Sequence, residues 1–147
     1  RFEMAFPPNA SAHPGWPVVE YSLAVGSQLL KEKTIQLVVM MIPTKLRVMA
    51  PFSDFHEIQL STEDRPVTVK HTLPPGWNLT PQQRLATQLQ NLCDRLEVPF
   101  IDTTQALSER AANGELVYQT MDTHLSPLGH EIVADLLSTT LEGLASP

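Results

Sequence analysis

The chain has a single cysteine, Cys93, among its 147 residues. That excludes an internal disulfide framework and a Cys-rich metal site, though it does not settle the compartment. It has only 6 glycines and neither a GxGxxG nor a GxxxxGK pattern, so nucleotide binding has no support. No run of lysine or arginine exceeds a pair, and the formal net charge is -6. Both argue against nucleic acid and anionic membrane as partners. The longest apolar run, Leu37 to Pro43, is far too short to span a bilayer, so no membrane span is expected. The opening RFEMAFPPN lacks a charged start followed by an apolar core, so no signal peptide is read in it. It also lacks Met at position 1, which leaves open a lost leader or a longer parent chain. No internal repeat or low-complexity tract stands out.

What is present suits one globular domain. Hydrophobic residues make up 42% of the chain, an ordinary share, and 147 residues can bury a sizeable core. Residues 1–16 are Pro-rich and read as an N-terminal arm. Pro17 suits the first turn of a helix running to about Lys33, with Val18, Val19, Leu23, Ala24, Leu29 and Leu30 roughly at helical spacing. Thr34 to Ile42, TIQLVVMMI, is β-branched and almost wholly apolar. It is expected as a strand buried on both faces, as in parallel sheets. An excursion follows at about residues 46–79, where EIQLS and VTVKHTL read as two strands around a turn. Thr80 and Pro81 open a helix to about Leu96, with Leu85, Leu89, Leu92 and Leu96 along one stripe. VPFID is a short strand, and Thr103 or Thr104 caps a short helix ending at Asn113-Gly114. ELVYQT is a brief strand or an extended approach. Ser126 caps the last helix, Pro127 takes its first turn, and Ile132, Val133, Leu136, Leu137 and Leu141 form its apolar face.

This order predicts α/β packing, with helices over a mostly parallel sheet. Only two strands are strong, whereas such sheets usually have ~4–6. The fold is therefore expected to be incomplete, with an open sheet edge or apolar face needing a partner. The rival expectation is that residues 57–73 fold back and close the sheet from within.

The chemistry concentrates in DTHLSPLGH, Asp122 to His130. A carboxylate two residues from a histidine can hold the imidazole Nδ1–H, fix the tautomer and stabilise the imidazolium. The pair lies just before a helix, where α/β folds place active-site loops. An Asp near a helix N-terminus also suits the helix dipole without any catalysis. His130, in the first turn of that helix, is read as a helix-face or semi-buried side chain. A zinc site from His124 and His130 has no third ligand at a convincing spacing, so no metal and no cofactor are expected. His13, His56 and His71 are unassigned. Lys45, just past the buried strand, is a candidate substrate contact for an oxyanion, or a solvated loop lysine. Cys93 is expected to be a buried, inert thiol.

VYQTMDTHLSPLGHEIVADLL resembles the C-terminal block of the SGNH (GDSL-type) hydrolase and acyltransferase superfamily. LVVMMIPTKLRV is similar to a core strand of that fold with its Pro-x-Lys exit, and NLCDRLEVPFIDTTQAL to the helix and strand before the catalytic block. The likeness covers about residues 17–142. It implies a flavodoxin-like three-layer α/β/α sandwich that cleaves or transfers acyl esters, O-acetylated carbohydrate among them. It also favours a periplasmic or extracellular location. Asp122 would orient His124, and His124 would be the general base.

The superfamily's Gly-Asp-Ser block, which carries the nucleophile, is absent, as are recognisable Gly and Asn oxyanion-hole blocks. In VGSQ (Val25 to Gln28) no Asp separates Gly from Ser, and the segment lies in a helical pattern. Three expectations follow, in this order. The chain is the C-terminal portion of an SGNH-type esterase whose partner is a Ser-bearing segment outside this sequence, inactive alone. Or it is a non-catalytic SGNH-derived subunit of a larger assembly, docking through its arm and excursion. Or only the fold is shared, and a metal or ligand site uses the histidines. The block match and the buried strand at Leu37 to Ile42 lead us to expect Asp122 and His124 as hydrogen-bonded neighbours at the mouth of a cleft, at the carboxyl edge of a parallel sheet.

Overall fold

The computed structural model describes residues 13–52, 58–62, 65–69 and 80–145. Most of the expected Pro-rich arm, and the excursion at residues 53–57, 63–64 and 70–79, lie outside the described residues. The chain runs α1 (Trp16–Lys31), β1 (Val39–Met41), α2 (Lys45–Met49) and a 3-10 turn (Ala50–Phe52). Then follow β2 (Ile58–Thr62), β3 (Arg65–Val69), α3 (Thr80–Arg95), β4 (Phe100–Asp102), α4 (Thr104–Ala112) and α5 (Pro127–Ala145). The class is α/β, with a small two-stranded parallel sheet among the helices.

Strands β1 and β4 pair in parallel, Val39 opposite Phe100, Met40 opposite Ile101 and Met41 opposite Asp102. The expected hairpin in the excursion is present. β2 and β3 are antiparallel, Ile58 opposite Val69, and among the described residues they pair only with each other. They do not extend the parallel sheet.

The run from Thr34 to Ile42 corrects one expectation. It is a strand only over Val39–Met41, half-buried rather than buried on both faces, and Ile35 and Ile42 are exposed. Two constraints shorten it. Thr34 takes a left-handed backbone (φ 58°) that ends α1, with Thr34 N–H bonded to Lys31 C=O and Ile35 N–H to Leu30 C=O. Further on, β4 offers a three-residue partner on one edge. Burial on both faces comes from helices laid over a wide sheet, and among the described residues this sheet is a three-residue pair with little face to cover.

The same stop recurs. Glu97 (φ 56°) ends α3, with Glu97 N–H on Asp94 C=O and Val98 N–H on Cys93 C=O. Gly114 (φ 81°) ends α4, with its N–H on Ala111 C=O and Glu115 N–H on Arg110 C=O. This paired bonding satisfies the last carbonyls of each helix. Only α4 uses the residue that adopts this backbone without a steric cost. Two helices, α1 and α3, thus end alike and each feeds one strand of the parallel pair. Ion pairs Arg95–Glu20 and Lys31–Glu97, both 3.1 Å, bridge them.

The core lies below the end of β1. Val48, Leu107, Ala111, Val117 and Tyr118 are buried together, with Met49, Leu125, Leu128, Ile132 and Val133 packed on them. α2, α4 and the start of α5 thus close around residues 117–118. A second buried group, Leu92, Cys93, Val98 and Ile101, joins α3 to β4. Burial pushes the Cys93 thiol up from its ordinary value, which suits the inert thiol expected from the sequence. In contrast, Val18, Tyr21, Val25 and Leu29 of α1 are all exposed along one stripe.

Replacing Thr34 with glycine should stabilise the protein by about 1 kcal/mol, since a β-branched residue in left-handed backbone costs more than the added chain entropy of glycine. Urea unfolding of Thr34→Gly checks this; a lower midpoint would contradict the assignment.

Candidate active-site loop

Residues 117–126 form a narrow loop whose legs are hydrogen-bonded. Ser126 N–H donates to Val117 C=O (3.0 Å), Gln119 N–H donates to His124 C=O (2.9 Å), and Tyr118 bridges Leu125. Asp122 and His124 stand at its tip. The first leg is fixed by burial, since Val117 and Tyr118 belong to the core.

The second leg is fixed by the start of α5. Ser126 Oγ donates to Leu116 C=O (2.6 Å) and accepts from Gly129 N–H (3.1 Å), so one hydroxyl caps the helix and ties it to the incoming leg. Pro127 occupies the first helical position, where its missing N–H costs nothing. Gly129 has a steric role: a Cβ there would come within 2.1 Å of Val117 C=O. The helix can therefore lie directly on the loop's backbone. His130 Nδ1 lies 2.9 Å from Ser126 C=O, so the ring folds back on its own first turn, as the helix-face reading expected.

The two-residue spacing of Asp122 and His124 now has a geometric meaning. Asp122 Oδ1 accepts the backbone N–H of His124 (2.8 Å), and Oδ2 lies 3.2 Å from His124 Nδ1. One carboxylate thus holds both the chain and the ring of the same residue. The Asp-x-His spacing suits this, because an Asp side chain readily accepts the N–H two residues on. Bonding at Nδ1 leaves Nε2 as the ring's basic nitrogen. The His124 side chain is 82% exposed. The His124 backbone N–H and ring, with Lys45 more distant, hold the Asp122 carboxyl below the ordinary carboxylate range.

Lys45 lies at the exit of β1, as expected, and its ammonium faces the loop. It donates to the carbonyls of Gln119 (2.5 Å), Thr120 (3.0 Å) and Asp122 (3.0 Å). Beside it, Tyr118 Oη donates to Pro43 C=O (2.5 Å), and burial pushes the phenol up to about 12. The strand exit and the loop are therefore bound together on both sides of Thr44. At the neighbouring strand end, Thr103 Oγ1 donates to Met41 C=O (3.1 Å). Arg47 is nearly buried, and desolvation lowers its guanidinium against the opposing pull of Asp102, 3.8 Å away.

The pair stands at the carboxyl edge of the parallel strands. A cavity of about 310 Å3 lies at the C-terminal ends of α1 and α3, lined in part by Lys31, Leu37, Arg95 and Val98. A shallower hollow of about 280 Å3 lies between α4 and α5. Among the described residues no cluster of three His, Cys, Asp or Glu side chains could hold a metal ion. No described helix is long and apolar enough to cross a membrane.

The sequence pointed to Asp122, His124, Ser126 and Pro127, and held Gly129 within the same block without a role, but did not point to Tyr118. Gly129 left a faint signal, since glycine inside a helix is costly without a packing reason. The partner of Tyr118 lies 75 residues away, and no local pattern reveals it.

Two outcomes follow. Gly129→Ala should cost about 1–3 kcal/mol by overpacking against Val117, read by urea unfolding; an unchanged midpoint would mean the helix does not rest on the loop. Asp122, with its folded value depressed, contributes stability that is present above the unfolded value near ~3.9 and lost as pH falls through the folded value. Carboxyl-carbon NMR should therefore place the Asp122 midpoint below ~3.9. His124→Ala should raise it only in part, because the backbone N–H remains. A midpoint unmoved by that substitution would separate the ring from the carboxylate.

No protein-family model matches the chain, and neither a curated protein nor a solved structure matches it. The geometry of the loop therefore carries the functional reading.

Proposed function

We propose that this chain is the C-terminal portion of an SGNH-type serine esterase or acyltransferase acting on acyl esters. Its fold is then an incomplete flavodoxin-like three-layer sandwich, and polypeptide outside residues 1–147 supplies the seryl nucleophile. The observation that carries the reading is the Asp122 carboxylate, bonded at once to the backbone N–H and within 3.2 Å of the ring Nδ1 of His124. Two further observations support it. The pair sits beside the exit of a parallel strand, where open α/β sheets bind ligands. The described sheet has only two strands, leaving an edge at which further strands can pair.

Chemically, His124 Nε2 takes the proton of the seryl hydroxyl as its oxygen attacks the ester carbonyl. As the tetrahedral intermediate collapses, the imidazolium returns that proton to the departing alkoxide, leaving an acyl-serine. Water or an acceptor hydroxyl, deprotonated by the same nitrogen, then releases the acyl group and regenerates the serine. Asp122 stays ionised throughout and holds the ring in the useful tautomer.

The exposed stripe of Val18, Tyr21, Val25 and Leu29 favours a second reading, a non-catalytic SGNH-derived subunit held within an assembly. The two differ in whether a nucleophile meets His124.

The 147-residue chain alone should hydrolyse p-nitrophenyl acetate only at the background rate. The native protein, with every segment it carries in the cell, should turn the ester over and bind a fluorophosphonate on serine. His124→Ala should then lower its kcat by about 10³-fold or more, as loss of a triad base does. Turnover by the isolated chain that vanishes in His124→Ala would overturn the division of the site between two segments. A native protein that neither labels nor turns over would leave the subunit reading.

A further inference from the structure

We infer that Lys45 is the positioning residue of the Asp122–His124 pair, acting through the backbone of the loop rather than on a substrate. The inference rests on the catalytic reading of that pair. An ammonium has three N–H donors, and those of Lys45 meet three carbonyls of one turn, Gln119, Thr120 and Asp122. No donor remains for a substrate oxyanion while the turn keeps this shape.

The three acceptors are placed to control both members of the pair. Asp122 is held through its own carbonyl. His124 is held through Gln119, whose C=O accepts from Lys45 while its N–H donates to His124 C=O. A single cation thus fixes where the carboxylate starts and where the imidazole is attached. A compact ammonium can accept this convergent set, whereas a planar guanidinium spreads its donors in a fixed fork.

The clamp is itself anchored. Lys45 opens α2, and Val48 in that helix is fully buried in the core. Pro43, two residues earlier, receives the buried Tyr118 hydroxyl. The loop is therefore referenced to the end of β1, and any ligand seated at that strand end would meet the pair in fixed register. The positive charge, lying against the loop, also favours the ionised form of Asp122.

NMR of the native protein, with every segment it carries in the cell, tests this without any turnover. Lys45→Met keeps the aliphatic stem and removes the donors. In that variant the Gln119 amide should exchange about tenfold faster, as expected when roughly one hydrogen bond's protection is lost. The His124 ring nitrogens should shift from the Nδ1–H tautomer toward the mixture of free imidazole, while the Leu107 amide keeps its protection. Lys45→Arg should restore the loop only in part. A merely structural lysine would instead speed all amides alike and leave the tautomer ratio untouched, and that result would overturn the inference. Should Lys45→Met fail to fold, the wild-type protein decides by its 15Nζ resonance. A Lys45 ammonium protected from exchange relative to Lys33 supports the clamp, and one exchanging as fast as Lys33 refutes it. Neither readout requires a nucleophile. A failed esterase assay therefore leaves this result standing, and an unchanged His124 ring refutes the clamp whatever the assay gives.

Discussion

The ammonium of Lys45 stands where the backbone of one turn directs three carbonyls toward a single point. Carbonyls so gathered repel one another unless a donor or cation sits among them, so the shape of the loop and the presence of the charge depend on each other. Much else in the molecule serves that arrangement. β1 delivers the lysine, the Tyr118–Pro43 bond sets the distance between strand exit and loop, and α5 supports the loop's second leg through Ser126 and Gly129. Asp122 and His124 are exposed, yet their backbone is held at several points, which is how a mobile surface position acquires a defined geometry.

The packing is uneven for a physical reason. The core gathers under the loop, where α2, α4, α5 and Tyr118 meet. On the other side, α1 buries Trp16 and leaves an apolar stripe outward, and among the described residues β1 has a partner strand on one edge only. Apolar surface left in water forgoes roughly 25 cal/mol for each Å2 that could be covered. The exposed stripe, and the strand edge left unpaired among the described residues, thus mark where additional polypeptide would stabilise the protein most.

Much of the layout was legible in the chain. Ser126-Pro127 marked a helix start because a hydroxyl cap and a missing N–H are both local devices. Helical spacing outlined α3 and α5, and the alternating excursion outlined the β2–β3 hairpin. The strand at Thr34 to Ile42 was overestimated, because its apolar composition reports a capacity for burial and not the presence of neighbours to supply it. Thr34 and Glu97 in left-handed backbone were not legible either, since neither residue type favours it.

By itself the sequence determined the α/β class, the starts of every described helix but α2, and the Asp-x-His spacing that lets one carboxylate serve both the backbone and the ring of His124. These are short-range matters, set by side chains within a few residues of one another. The tertiary structure decided the rest: that Lys45 faces a loop 74 residues away, that Tyr118 meets Pro43, and that Gly129 admits Val117. Those contacts join segments distant along the chain, and only the folded backbone brings their donors and acceptors within bonding distance.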